Sequence, residues 1–165
     1  MISNFSQMLA FLEAQAKSTT GIVDFRHVGS AEFIIERIQK YYTSNYKEGA
    51  CLFLDTSEGV LQPIEYDIMN ISFVLGVTVL KKPNSNDPVE QDAIWSETLD
   101  ASIRFFSKLK EQEATVENSE WFECGIIENK LHQVSKITNS NAMGWRNEII
   151  FTYNIDKIFN HCNCN

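Results

Sequence analysis

The stretch Ile68 to Leu80, reading I-M-N-I-S-F-V-L-G-V-T-V-L, constrains the chain more than any other. Its odd positions, Met69, Ile71, Phe73, Leu75, Val77 and Val79, are all apolar, while the even ones mix Asn70, Ser72, Gly76 and Thr78 with Val74 and Leu80. Alternation with period two over this length, rich in β-branched residues, predicts a strand with one face on a core. A helix would scatter the same residues around its whole circumference. The stretch is therefore read as the central strand of a sheet.

Flanking segments supply its neighbours. Residues 3 to 17 carry Phe5, Met8, Leu9 and Leu12 at helical spacing, with Ser3 or Asn4 as N-cap and Gln7 three residues after Asn4. Ile22 to Val28 reads as a short extended piece, and Gly29-Ser30 opens a second helix through about Tyr42 with an apolar stripe of Ile34, Ile35, Ile38, Tyr41 and Tyr42. Ala50 to Leu54 is a fully apolar run, which suits a strand covered on both faces and ending at Asp55. Thr56-Ser57-Glu58-Gly59 has turn chemistry, so Val60 to Tyr66 is expected to fold back as a separate strand, irregular or at an edge near Pro63, with a bend at Asp67.

Beyond Lys81-Lys82, the segment Pro83 to Asp92 is polar and holds two prolines, and it is expected to project as an exposed loop that works in assembly. Ala93 to about Gln112 is the longest helix, with Trp95, Leu99, Ile103, Phe106 and Leu109 on one face. Phe122, Cys124 and Ile126 alternate, Leu131 to Ile137 is a further strand candidate, and Thr138 to Asn141 reads as a loop. The last strand runs from about Trp145 to Ile155, with Trp145, Ile149, Phe151, Tyr153 and Ile155 on one face. The expected fold is α+β, a mainly antiparallel sheet with a long helix packed across one face and N-terminal helices. Its principal strands are the segments at 50–54, 60–66, 68–80 and 145–155.

Length and charge limit what this fold could do. A chain of 165 residues suits one domain, taken as 1–160, followed by a flexible tail at 161–165. The net charge of -8 repels nucleic-acid phosphates and anionic lipid, and no apolar run reaches the roughly 18 residues of a membrane span. The first twenty residues lack the basic and apolar regions of a secretion signal. Cys51 and Cys124 lie in apolar surroundings and Cys162 and Cys164 in the terminal segment, a usage that fits a reducing cytosol better than a disulfide framework.

No catalytic, cofactor-binding or metal-ligating residue is assigned. The terminal His161, Cys162 and Cys164 are soft-metal ligand types, but a closed zinc site needs a fourth ligand and a wider cysteine spacing. A thiol nucleophile at Cys51 or Cys124 would require His27 or His132 beside it, which nothing in the spacing predicts. Asp24, Asp55 and Asp67 end or interrupt apolar segments and read as turn or capping residues before magnesium ligands. Lys81-Lys82 reads as a solvated strand end, and the phosphate-loop, dinucleotide, zinc-protease and serine-hydrolase motifs are all missing.

The opening Met1-Ile2-Ser3-Asn4-Phe5-Ser6-Gln7, the strand ending Val79-Leu80-Lys81-Lys82 and the closing Gly144-Trp145-Arg146-Asn147-Glu148-Ile149-Ile150-Phe151 resemble small structural proteins of tailed bacteriophages. The element order is similar to that of tail-terminator and neck (head-tail joining) proteins. The resemblance implies a non-enzymatic virion subunit, made in the host cytoplasm, that assembles with itself into a ring, commonly a hexamer. Such a ring caps the tail tube, contacts the tail tube protein and the head-side connector proteins, and lets DNA pass through its lumen without specific binding, with no cofactor and no membrane. The alternative is a small acidic cytosolic binding module, an inhibitor or adaptor for a basic protein; an enzyme using scattered carboxylates ranks third.

Overall fold

The computed structural model describes residues 4–65, 68–115, 122–126, 131–135 and 140–154. Its elements follow the order α1 (Phe5–Lys17), β1 (Ile22–Ser30), a 3-10 turn (Ala31–Phe33), α2 (Ile34–Ser44), β2 (Ala50–Glu65), β3 (Ile68–Lys81), α3 (Pro88–Glu113), β4 (Phe122–Ile126), β5 (His132–Ser135) and β6 (Met143–Asn154). The strands form one sheet in the order β1-β2-β3-β6-β4, with β5 also paired to β6. Every pair is antiparallel except β1–β2, and the fold is α+β.

β3 lies at the centre of this sheet, between β2 and β6. Leu75, Val77 and Val79 are buried on one face, beneath Met8, Leu12 and Ala16 of α1 and Ala101, Phe105 and Leu109 of α3. Each fully buried Met or Leu of that layer contributes about 1.5–3 kcal/mol. α1 starts where its sequence allows: Asn4 Oδ1 accepts from the Gln7 N–H at 2.9 Å, satisfying one of the free donors of the first turn. Lys108 of α3 ties down its other end by donating to the Ser18 carbonyl at 2.9 Å, a favourable place for a cation beside exposed C-terminal carbonyls. On the opposite face α2 sets Ile38, Tyr41 and Tyr42 against Cys51, Phe53 and Leu80.

Four sequence expectations change. First, β2 runs unbroken through Thr56-Ser57-Glu58-Gly59, and the expected turn is only a register shift between Thr56 and Glu58. Turn-forming residues also suit a bulge, where one extra residue leaves the ladder. A second shift between Pro63 and Glu65 accords with a proline that cannot donate to a ladder, whereas the bend expected at Asp67 lies outside the described residues. Second, Ile22–Ser30 is a full strand of the sheet, parallel to β2, with α2 as the crossover that parallel pairing demands.

Third, α3 starts at Pro88 rather than Ala93. Asp87 accepts from the Val89 N–H at 3.1 Å, and Pro88 occupies the first turn, where its missing N–H costs nothing. Glu90 then folds the preceding turn inward by accepting from the Asn84 and Ser85 N–H groups, each at 2.8 Å, and Pro83 is buried. The expected projecting loop is thus a short, hydrogen-bonded connector. Fourth, the buried stripe of α3 is Ile94, Thr98, Ala101, Ser102, Phe105 and Leu109, so that Ile103 is 49% exposed. Thr98 and Ser102, buried on this stripe, satisfy their hydroxyls on the Ile94 and Thr98 carbonyls at 2.7 and 2.8 Å. In α2, Ile35 is likewise 59% exposed instead of buried.

At the far side, β4 pairs with Ile149–Tyr153 of β6 and β5 with Met143–Arg146, so the edge strand comes in two pieces. β5 realises part of the candidate at 131–137, while Ile155 and the tail at 161–165 lie outside the described residues. The α3 assignment has a direct check: Phe105→Ala should lower stability by about 3–5 kcal/mol, and Ile103→Ala by no more than about 0.5 kcal/mol. Urea unfolding of the two variants decides it, and equal losses would mean the helix is rotated.

Candidate functional site

The most concentrated polar chemistry lies on the sheet itself. Asp55 has a side chain with no solvent exposure, and it accepts two bonds from Arg146, Nη1 to Oδ1 at 2.6 Å and Nη2 to Oδ2 at 3.0 Å. Arg146 Nη1 also donates to Thr78 Oγ1 at 3.1 Å, and Nη2 lies 3.4 Å from Glu148. The pair spans three strands, crossing β3 at Gly76, which is opposite both Asp55 and Glu148. A Cβ on Gly76 would come within 2.5 Å of both Asp55 oxygens and would also strike the guanidinium. Glycine is therefore needed there for space. Hydrogen bonding to Asp55 raises the Arg146 pKa further above its ordinary value. Both carboxylate oxygens are engaged, so Asp55 is a structural anion and not a free metal ligand.

Asp24, the second carboxylate singled out in the sequence, is also occupied. Burial opposes its ionisation, yet the Phe25 N–H at 3.0 Å, Arg26 at 2.9 Å and Lys47 at 3.4 Å outweigh that and hold its pKa below the usual carboxylate range. Asp67 lies outside the described residues, as do His161, Cys162 and Cys164. Among the described residues no group of three His, Cys, Asp or Glu side chains gathers closely enough to hold a metal ion.

The thiols are placed as small hydrophobes. Cys51 sits under α2 with Tyr41, Tyr42 and Phe53, and Cys124 belongs to the opposite layer; burial pushes each up to about 12. At neutral pH neither supplies a thiolate. His27 points to the α1 side, its ring 5.9 Å from that of Phe5 and Nε2 3.5 Å from Thr56 Oγ1, while His132 is exposed on β5. Burial, and then the charge of Arg37, lower the His27 pKa, so it stays neutral at pH 7. The Lys81-Lys82 doublet is engaged as well: Lys81 bonds Glu97 at 2.6 Å, and Lys82 lies 5.7 Å from the centre of the Tyr46 ring.

What remains open to a partner is surface. A groove of about 730 Å³ runs beside α3, lined by Ile103, Phe106, Ala114 and Leu131 together with Lys110 and Glu111. A second, of about 410 Å³, lies between β1 and α2 and mixes Arg26, Arg37 and Lys40 with Glu36. The third open feature is backbone. β1 covers β2 only as far as the Ser30–Thr56 pair, whereas β2 continues to Glu65. Among the described residues, the outer edge of β2 from Glu58 onward has no strand beside it. Comparison of the sequence with protein-family models and with curated proteins finds no match.

Sequence reasoning placed no functional residue, and it missed the Asp55–Arg146 pair. The available signal was an aspartate closing an apolar run, an arginine on the polar phase of the last strand and a glycine in the middle of the central one. Arg146→Met should cost about 3–5 kcal/mol, because it leaves the Asp55 carboxylate buried and alone, and Asp55→Val/Arg146→Met should recover most of that loss in denaturant titrations.

Acid should act in two windows. The His27 pKa is lowered in the fold, so its contribution is present above the unfolded value of 6.5 and is lost as pH falls from there. That of Asp24, also lowered, is present above 3.8 and lost as pH falls through its folded value. Melting curves of His27→Gln should lack the first decline and keep the second. Alkylation at pH 8, mapped by peptide mass, should leave Cys51 and Cys124 unmodified until denaturant is added.

Proposed function

We propose that the chain is a virion structural subunit of a phage tail or neck, a tail-terminator-like protein that closes into a ring. The supporting observation is the arm formed by β2 and β3, which outruns β1 and leaves a strand edge open among the described residues. An unpaired edge is a ready template for another chain, and proteins that do not use one usually cover it. The order of helices, long strands, long helix and closing strands agrees with the resemblance carried by the N-terminal, β3 and β6 motifs. The acidic surface implied by a net charge of -8 suits a lumen through which DNA passes without adhering. Neighbours on this reading are the tail tube protein and the head-side connector.

A second reading, an acidic binding module, draws support from the apolar groove beside α3. Light scattering after size exclusion, with negative-stain images of the same fractions, separates the two. The ring reading expects closed oligomers of uniform size at micromolar concentration; a monomer at every concentration and ionic strength would leave the binding module.

A further inference from the structure

We propose that the open edge of β2 receives β4 of a second copy of this chain, in antiparallel pairing, so that each subunit gives one edge and takes the other. The inference rests on the ring reading above and names the contact that would build it.

Three features of the sheet converge on this pairing. The first is height: Gly59 is opposite Phe73, Phe73 opposite Phe151, and Phe151 opposite Cys124, while Leu61, Ile71, Tyr153 and Phe122 make a parallel row. The open stretch of β2 and the outer strand β4 therefore lie at the same level on opposite sides of one sheet. The second is direction. β2 is antiparallel to β3, β3 to β6 and β6 to β4, so β4 runs opposite to β2, and a copy moved sideways brings the two together in antiparallel sense. The third is length: β2 keeps an unshifted register from Glu58 to Pro63, and β4 pairs without any shift over five residues, Phe122–Ile126.

The other open edge argues by contrast. β1 has register shifts between Ile22 and Asp24 and between His27 and Gly29, and it carries the Asp24, Arg26 and Lys47 charge cluster. Irregular, charged edges resist strand addition. Pairing of β2 with β4 is heterologous, since two different surfaces meet; it builds a ring where the rotation between successive copies closes and an open filament where it does not.

Cysteine pairs test the contact. Val60 and Glu123 lie at one level, through Ser72 and Thr152, so the chain is made with Val60→Cys and Glu123→Cys together, and with Cys162→Ser and Cys164→Ser. Glu58→Cys with Gly125→Cys is a second pair, at one level through Val74 and Ile150 and chosen because a Cβ at Gly125 meets nothing within 4 Å. After mild oxidation and denaturation without reductant, either double variant should give a ladder of covalent multimers that reduction abolishes, while a mixture of the corresponding single variants should stop at dimers. Uniform native rings that cross-link in neither pair would overturn the strand contact and leave the ring reading standing. A Val60→Cys single variant that cross-links to itself would also overturn it, because that contact is symmetric. Protein that stays monomeric throughout would end both, and cross-linked open filaments would support the pairing and remove the ring.

Discussion

The bidentate contact between Asp55 and Arg146 is the constraint on which the sheet depends. A buried ion pair contributes little net stability, since the cost of taking both charges out of water offsets most of their attraction. Its effect here is on register. Of the three long strands, β3 and β6 carry alternating apolar residues, and a slip of one position is already excluded there because it would turn the buried face of Leu75, Val77 and Val79 to the wrong side. A slip of two positions preserves the alternation and escapes that penalty. It would replace Gly76 by Val74 or Thr78 beneath the guanidinium, where no side chain fits, and leave Asp55 buried without its partner. Hydrophobic pattern thus forbids odd slips, and the ion pair over a glycine forbids even ones.

That division of labour accounts for what could be read in the sequence. β3 was legible because period two is a local property, repeated over its whole length, and β6 was legible for the same reason. Failures came where a residue's partner is distant or its type ambiguous. Asp55 reads as the end of a strand because a carboxylate in an apolar run looks exposed, and its cation stands 91 positions away. Thr56-Ser57-Glu58-Gly59 reads as a turn because bulges and turns recruit the same residues. Counting only large apolar residues rotated the expected face of α3 toward Ile103, although the buried stripe includes Thr98, Ala101 and Ser102.

The same physics limited the reading of function. Cysteines, histidines and isolated carboxylates can each be named in a sequence, but their chemistry depends on burial and on neighbours. Here burial silences Cys51 and Cys124, and hydrogen bonds occupy Asp24 and Asp55. An open strand edge has no residue signature at all. It arises because β1 is nine residues long and β2 sixteen, a difference visible only once the parallel register between them is known.

Edges also follow from how the charges are distributed. A protein of net charge -8 repels its own copies at long range, an effect that physiological salt confines to about 8 Å. Contact made through backbone groups needs no opposite charge on the partner, so it can hold at short range once that repulsion is screened. β1 is protected by its register shifts and by the Asp24–Arg26 pair, whereas β2 keeps an unshifted register between its own two shifts. The fold therefore restricts where another strand could add: one boundary of the open stretch is the shift at Thr56, and the other is Pro63, which has no N–H to offer. An edge bounded in this way accommodates a short strand in a fixed place, which is the geometric condition for identical contacts to repeat from copy to copy.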